Sequence, residues 1–204
     1  MIKLYTTKSS GNGYKVRLLL SQLGRKFHLI QKDIAKGETR TPEFLAINPN
    51  GRIPTLVFDD GRKLAESDAI LFFLAEGTPF LSMDRFARAE TLQWMFFEQY
   101  SHEPYIAVAR AWLHVFGKGE EMRDKLAEKH ERGYLALAVM ERHLANRMYF
   151  VDNHYGIADI ALYAYTHVAH EGEFDLAPYP NVRAWLARVA HQPGHITIDK
   201  ADFG

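Results

Sequence analysis

Apolar and polar positions in the first part of the chain follow the periods of short strands and short helices. An apolar run from Ile2 to Tyr5 predicts a strand, and a helix follows from the spacing of Val16, Leu18, Leu19, Leu20 and Leu23. Gly24 ends this helical pattern, and the next segments predict a strand over 27–31, a short helix over 43–47 and a hairpin turning at Asp59-Asp60-Gly61. A further helix begins at Ser67 and runs to Gly77. This order predicts a small mixed sheet with helices packed on it over residues 1–77.

Beyond residue 84 the strand patterns end and only helical spacing remains. The periodicity predicts a long helix over 84–116 that Pro104 bends, and a second long helix over 120–147 in which Gly133 is a weak point. Shorter helices are predicted over 157–170 and 180–190. We therefore expect an α/β domain over 1–77, a linker over 78–83 and an all-helical domain over 84–204.

The composition excludes several kinds of chemistry and says less about the fold. At 204 residues and 47% apolar content, the chain can bury a packed core. It has no apolar run near the roughly 20 residues of a membrane span, and Met1 opens a strand pattern and not a signal peptide, so a soluble cytoplasmic protein without a membrane partner is predicted. The chain has no cysteine, which excludes catalysis through a protein thiol. Any sulfur chemistry must use the sulfur of a ligand.

Charge is balanced overall but unevenly distributed. Residues 1–77 hold 12 Lys and Arg against 8 Asp and Glu, whereas the remainder holds 13 against 17. A small anion should therefore prefer the first part. The basic excess is too modest and scattered to predict a nucleic-acid partner. The ten histidines lack accompanying ligands at metal-binding spacing, so no metal site is predicted.

The polar stretch between the first strand and the first helix is the candidate for chemistry. It runs from Thr6 to Arg17, and its two glycines let the backbone approach a ligand closely. Ser10 or Asn12 can cap the helix that follows. A helix N-terminus offers unpaired N–H groups and about half a positive charge, so it favours an anion. The loop alone leaves open which anion binds and whether these side chains do more than cap.

Four local motifs, in order along the chain, give the sequence a family resemblance. They are Ser9-Ser10-Gly11-Asn12-Gly13-Tyr14-Lys15-Val16-Arg17, Asn48-Pro49-Asn50-Gly51-Arg52-Ile53-Pro54, Glu66-Ser67-Asp68-Ala69-Ile70 and Ile157-Ala158-Asp159-Ile160-Ala161. With a βαβαββα domain before a helical one, the chain resembles the glutathione transferase superfamily, and its loop resembles that of the serine and asparagine type members found in bacteria and fungi. The resemblance implies a thioredoxin-like N-terminal domain. One departure is Gly156, which stands where the family usually has a Ser or Thr cap, so Asp159 alone remains to hold that helix end.

The resemblance also implies a site for glutathione as co-substrate, without a metal. Ser10 and Asn12 are the predicted catalytic residues, because either side chain can donate a hydrogen bond to the thiolate of glutathione at the start of the first helix. Thr7 and Ser9 are alternative hydroxyl donors, and Tyr5 is another, since other classes of the family use a tyrosine. Alternatively, the Tyr5 ring has no catalytic role and only packs on the sheet.

The remaining implied contacts are assigned to three parts of glutathione. Glu66 and Ser67 are expected to bind the γ-glutamyl ammonium and carboxylate, and Ile53, before a cis Pro54, the cysteinyl backbone. Arg40 or Arg52 is the candidate for the glycine carboxylate. The second substrate is expected between the domains, with Tyr105 and Trp112 of the long helix in its pocket.

The resemblance thus predicts a glutathione transferase that directs the thiolate at an electrophile, as in detoxification, and forms a homodimer. Two alternatives stay open. One is glutathione-dependent reduction of disulfides or peroxides, and the other is a non-catalytic ligand-binding or assembly module of the same fold.

Overall fold

The computed structural model describes residues 1–200, which divide into two compact units. Residues 1–76 together with 193–200 belong to the first unit, and residues 77–192 form the second. This division differs from the predicted boundaries at the C-terminal end, because 193–200 pack with the first unit although the helical pattern assigned them to the second domain. The reason is a set of tertiary hydrogen bonds, described below, that no local pattern encodes.

The first unit has a four-stranded mixed sheet with the predicted connectivity. The elements are β1 (Ile2–Thr6), α1 (Gly11–Gln22), β2 (Phe27–Gln31), α2 (Pro42–Leu45), β3 (Thr55–Val57), β4 (Lys63–Ala65) and α3 (Ser67–Ala75). The strand order is β2-β1-β3-β4, in which β2 runs parallel to β1 and β3 is antiparallel to both β1 and β4. The predicted thioredoxin-like βαβαββα order is confirmed.

The regular elements of the second unit are helices, apart from an isolated β-bridge between Val151 and His154. It contains α4 (Arg85–Phe97), α5 (Glu103–Arg110), α6 (Arg123–Leu144), α7 (Ile157–Thr166) and α8 (Pro180–Ala190), and a short 3₁₀ turn, Ala169–Gly172, follows α7. The all-helical prediction is confirmed, and the observed helices end earlier than predicted in 157–170 and begin later in 120–147. None of the helices in residues 1–200 combines the length and apolar character needed to cross a bilayer.

The predicted effect of Pro104 takes the form of a widened turn. Between α4 and α5 the residues Glu98–His102 are π-helical, and the Glu103 N–H bonds to the Glu98 carbonyl five residues back. A proline lacks the N–H for a normal helical bond and its ring crowds the preceding turn, so a wider turn accommodates it. A second π-helical stretch, Ala111–Val115, has no proline and was not predicted.

Gly133 is not the weak point of α6 that its low helix propensity suggested. It lies in the helix interior, where a Cβ atom would overlap the ring of Phe174. The glycine therefore permits close packing of an aromatic ring against the helix, a tertiary advantage that offsets its cost of about 1 kcal/mol in a helix interior.

The N-terminus of α7 is held by a buried carboxylate, as predicted from Asp159. Its side chain accepts hydrogen bonds from the backbone N–H of Gly156 at 3.0 Å, the backbone N–H of Phe150 at 3.2 Å and the Trp185 indole N–H at 2.8 Å. Burial raises the pKa of Asp159 to about 7 although all three hydrogen bonds favour the ionised form.

We predict that Asp159 makes the free energy of unfolding decrease as pH rises from about 4 to about 7. In this window the carboxyl ionises in the unfolded chain, with its ordinary pKa of 3.8, but keeps its proton in the folded one. The free energy of unfolding can be measured with urea for the wild type and for Asp159→Asn. In the middle of this pH window, the wild type should lose about 1.4 kcal/mol per pH unit relative to the variant. A difference that stays constant with pH would mean that the three N–H donors keep the carboxylate ionised.

Candidate functional site

The loop between β1 and α1 ends in a helix cap formed by Ser10. The Ser10 backbone is extended, and its side-chain oxygen accepts a hydrogen bond from the Gly13 N–H at 3.0 Å. Asn12 lies inside the first turn, so of the two predicted capping residues Ser10 is the one that caps. The Asn12 side chain makes a tertiary contact instead.

Gly13 allows α1 to pack directly against the end of β1. A Cβ atom at this position would overlap the side chain of Thr6, the last residue of the strand, which is buried. The sequence analysis predicted that this glycine lets the backbone approach a ligand closely. In the structure it lies against Thr6 of β1.

The turn before β3 contains the predicted cis peptide bond between Ile53 and Pro54. Buried Asn48 organises it, because its amide nitrogen donates to the Arg52 carbonyl at 2.8 Å and to the Thr55 hydroxyl at 3.1 Å. Asn48 stood in the sequence motif without an assigned role. Its position before two prolines, where few backbone N–H groups are available, was the signal that a side chain would have to hold the turn.

Glu66 and Ser67 mark the start of α3. Glu66 is exposed and has φ 65° and ψ 116°, a left-handed backbone that costs a non-glycine residue about 1–3 kcal/mol. Ser67 is the first residue of the helix and is buried, and its hydroxyl donates to the Asn12 amide oxygen at 3.2 Å. This hydrogen bond brings the first and third sequence motifs together.

Lys15 and Asp68 also belong to this cluster, and the sequence analysis missed both. The Lys15 ammonium is fully buried and lies 3.2 Å from an Asp68 carboxylate oxygen and 3.4 Å from the Ser67 hydroxyl. The available signal was a lysine inside an otherwise apolar helical stretch, since a lysine is almost never buried without a partner.

Together these contacts place the N-terminal ends of two helices side by side. Both ends carry the partial positive charge of a helix N-terminus, and the exposed Glu66 lies at the start of α3. The arrangement suits a zwitterionic ligand that has an anionic group for each helix end and an ammonium group for the carboxylate.

Two family models together match most of the chain. Residues 1–76 match the glutathione S-transferase N-terminal domain, and residues 93–193 match the glutathione S-transferase C-terminal domain. The chain belongs to the glutathione S-transferase family. The resemblance inferred from the four motifs is confirmed.

Several relatives of this family member are similar to it over most of their own length. It is 34% identical over 201 residues to the disulfide-bond oxidoreductase YfcG of Escherichia coli strain K12, covering 95% of this chain and 92% of YfcG. A solved glutathione S-transferase from Pseudomonas fluorescens Pf-5 has a TM-score of 0.95 at 52% identity, with 97% of this chain and 98% of that chain covered. A glutathione transferase from Pseudomonas putida, solved with one glutathione disulfide bound per subunit, has a TM-score of 0.84 at 27% identity, with 95% and 88% covered.

Other site residues predicted for this glutathione S-transferase family member lie at the cis-proline turn and on β1. Arg40 is exposed and donates to the Asn50 carbonyl at 3.0 Å, so its guanidinium lies at the cis-proline turn, and Arg52 is an exposed residue of that turn. The Tyr5 ring is half-buried against Phe44, with 5.8 Å between ring centroids, which is the packing that its alternative reading described.

Tyr105 and Trp112 belong to the second unit of this family member. Tyr105 lies on α5 and Trp112 in the π-helical stretch after it, and the Lys129 ammonium lies 5.2 Å and 5.9 Å from their ring centroids. Tyr105 also lines a hollow of about 300 Å³ with Phe97, Tyr100 and Leu135. Their role in a pocket for a second substrate stays a prediction.

The loop between β1 and α1 of this family member is also held by Arg17. This fully buried guanidinium donates to the carbonyls of Lys8 at 2.9 Å, Ile198 at 2.9 Å and Lys200 at 2.8 Å, and burial lowers its pKa to about 10. The Tyr14 hydroxyl adds a bond to the Ile196 carbonyl at 2.7 Å. One side chain therefore links the loop to the returning C-terminal segment.

We predict that Arg17→Met lowers the free energy of unfolding by about 2–4 kcal/mol, because it leaves buried carbonyl groups without their donor. Arg25→Met, a change at an exposed position of the same unit, is the matched control and should stay within about 0.5 kcal/mol of the wild type. Urea unfolding gives both values, and limited proteolysis should cut the 193–200 segment faster in Arg17→Met. Equal stability of the two variants would show that Arg17 does not hold this segment.

Proposed function

We propose that this chain is a glutathione transferase that holds the sulfur of glutathione as a thiolate beside Ser10 and Asn12 and transfers it to an electrophile. The observation that carries the proposal is the hydrogen bond between Ser67 and Asn12, which joins the predicted thiol loop to the predicted γ-glutamyl turn. Membership of the glutathione S-transferase family and the glutathione disulfide bound to the Pseudomonas putida relative support it.

The donors required for a thiolate are present in the loop. Ser10 already accepts the Gly13 N–H, so its own hydrogen is the part of the hydroxyl left to donate outward. The Asn12 amide oxygen accepts from Ser67, and an amide NH₂ group carries two donor hydrogens. Either group meets a sulfur anion at the positive end of α1.

The free energy that these donors contribute is large enough to ionise the thiol of glutathione at neutral pH. A free thiol with pKa near 8.5 is about 3% ionised at pH 7, and lowering its pKa by about two units requires about 2.7 kcal/mol. One hydrogen bond to a charged group contributes about 1.5–3 kcal/mol, and a helix N-terminus adds about 0.3–1 kcal/mol. No protein base or metal is needed in this scheme.

The rest of glutathione has a matching contact at each position. Glu66 binds the γ-glutamyl ammonium, while the backbone N–H groups at the start of α3, including that of Ser67, bind its carboxylate. Ile53 pairs its backbone with the cysteinyl group at the cis-proline turn, and Arg40 or Arg52 binds the glycine carboxylate. Tyr105 and Trp112 contribute to the pocket of the second substrate.

A second candidate reaction is glutathione-dependent disulfide reduction. It is favoured by the 34% identity to the disulfide-bond oxidoreductase YfcG over nearly the whole of both chains. The same bound thiolate would attack one sulfur of a disulfide substrate, the other sulfur would leave as a thiolate, and a mixed disulfide with glutathione would form. A binding module without turnover would not require a thiolate.

We also propose a homodimer. Large apolar side chains of the second unit are exposed in the single chain: Phe96 by 67%, Tyr100 by 84% and Leu135 by 57%. Tyr100 and Leu135 line the same hollow, and exposed apolar residues that lie together commonly mark a contact surface. Light scattering after size exclusion should give about twice the chain mass of 23.4 kDa, and Leu135→Glu should shift it towards one chain. A single-chain mass for the wild type would overturn the proposal.

The functional test is ultraviolet absorbance of the bound thiolate as a function of pH at saturating glutathione. The wild type should show a thiol pKa about two units below that of free glutathione, and Ser10→Ala or Asn12→Ala should raise it by about one to two units. Thr7→Ala and Ser9→Ala test the two alternative hydroxyl donors of the loop and should leave the thiol pKa unchanged if Ser10 or Asn12 is the donor. Absence of glutathione binding would overturn the proposed function, and an unchanged thiolate signal in both variants would overturn the assignment of the donors.

Assays with conjugation substrates and with glutathionyl disulfides then separate the two reactions. Transfer to electrophiles supports the transferase, turnover of disulfides alone supports the reductase, and a thiolate with neither supports the carrier.

A further inference from the structure

We propose that Arg17 is a positioning residue that couples the segment 193–200 to the thiol loop, residues 7–10. The loop then holds its donors at the sulfur of glutathione only while this segment is docked on α1. The proposal rests on the proposed function. Arg17 is fully buried, and it acts through the Lys8 carbonyl of the loop and not on the ligand.

The segment 193–200 is held on α1 through its own carbonyl groups. Every second carbonyl from 194 to 200 accepts a hydrogen bond from a side chain of α1. The bonds are Ser21 to Gly194 at 2.8 Å, Tyr14 to Ile196 at 2.7 Å, and Arg17 to Ile198 at 2.9 Å and to Lys200 at 2.8 Å. The three donors are three and four positions apart, so they lie along one face of the helix. The side chains of Ile196 and Ile198 are buried, so the segment is docked by apolar contacts as well.

One nitrogen of Arg17 bonds to both the segment and the loop. Its Nη2 atom donates to the Ile198 carbonyl at 2.9 Å and to the Lys8 carbonyl at 2.9 Å. A guanidinium is planar and its N–H groups point in fixed directions. Nη2 therefore cannot turn towards one of these carbonyls without turning away from the other. A displacement of the segment is passed on to the Lys8 carbonyl.

The Lys8 carbonyl belongs to the turn that leads into Ser10. The Ser10 backbone N–H donates to the Thr7 carbonyl at 3.2 Å, which closes a turn around Lys8 and Ser9. On its other side, the Ser10 side chain accepts from the Gly13 N–H at 3.0 Å. Because the peptide group between Lys8 and Ser9 is the centre of the turn, its rotation would shift the backbone of Ser10. We therefore expect an undocked segment to weaken the hydrogen bond from the loop to the thiolate.

A double-mutant cycle tests this coupling. Ile198→Asn should undock the segment while Arg17 keeps its charge. At saturating glutathione the thiol pKa should rise by about one unit, a tenfold fall in the ratio of thiolate to thiol, and Arg17→Met should give a similar increase. Adding Ile198→Asn to Arg17→Met should raise the thiol pKa no further, because the link is already broken. Ile34→Asn, the same change at an exposed position of the first unit, is the matched control and should keep the wild-type value.

Two results of this cycle overturn the proposal. One is an unchanged thiol pKa in Ile198→Asn, and the other is a further increase when Ile198→Asn is added to Arg17→Met. A loss of stability alone does not produce the expected result, because the thiol pKa is measured on glutathione bound to folded protein. Should Ile198→Asn not fold, the smaller change Ile198→Ala decides: an increased thiol pKa supports the coupling, and an unchanged one overturns it.

A measurement without glutathione distinguishes failure of this inference from failure of the proposed function. Hydrogen exchange of the Ser10 and Gly13 backbone amides, followed by nuclear magnetic resonance, should be several-fold faster in Ile198→Asn than in the wild type. The Gly51 amide, which donates to the Asn48 carbonyl at 2.9 Å in the cis-proline turn, is the control and should exchange at an unchanged rate. Unchanged exchange at Ser10 and Gly13, or an equal increase at Gly51, would overturn the coupling even if glutathione binds. Faster exchange confined to the loop would support the coupling even if glutathione does not bind.

Discussion

The hydrogen bond between the Ser67 hydroxyl and the Asn12 amide oxygen is the contact on which the candidate site depends. It holds the N-terminal ends of α1 and α3 beside each other, although the two partial positive charges repel. A bound anion relieves that repulsion, so the fold of the first unit favours an anionic ligand before any side chain is considered. The buried Lys15 adds to the positive charge and is balanced by Asp68.

Several residues support the first unit around these two helix ends. One acts through its small size and the others through their hydrogen-bond donors. Gly13 lets α1 reach Thr6 at the end of β1, and Asn48 supplies hydrogen bonds at the cis-proline turn. Arg17 connects the loop carbonyl of Lys8 to the segment 193–200. Because the chain has no cysteine, the proposed reaction takes its sulfur from a ligand, and support of the loop would keep the proposed donors in position.

Local patterns predicted the first unit well because its elements are short and their ends are marked by turn and cap residues. The strand over 27–31, the hairpin at Asp59-Asp60-Gly61 and the start of α3 at Ser67 all follow from residue types within a few positions of each other. The cis bond at Pro54 came from the family resemblance and not from the residues alone. The π-helical stretch at 111–115 and the tight fit of Gly133 against Phe174 were beyond these patterns, because both depend on partners distant in sequence.

The sequence by itself determined the family, the order of the elements, the absence of a protein thiol and the loop that carries Ser10 and Asn12. Only the tertiary structure decided that Ser10 caps α1 while Asn12 bonds to Ser67, that Lys15 is buried among these groups, and that residues 193–200 return to the first unit. The physical reason is the sequence separation of the interacting groups. Caps, turns and helical periods are read from neighbours along the chain, whereas the direction of a hydrogen bond and the burial of a charge are set by groups more than fifty residues away.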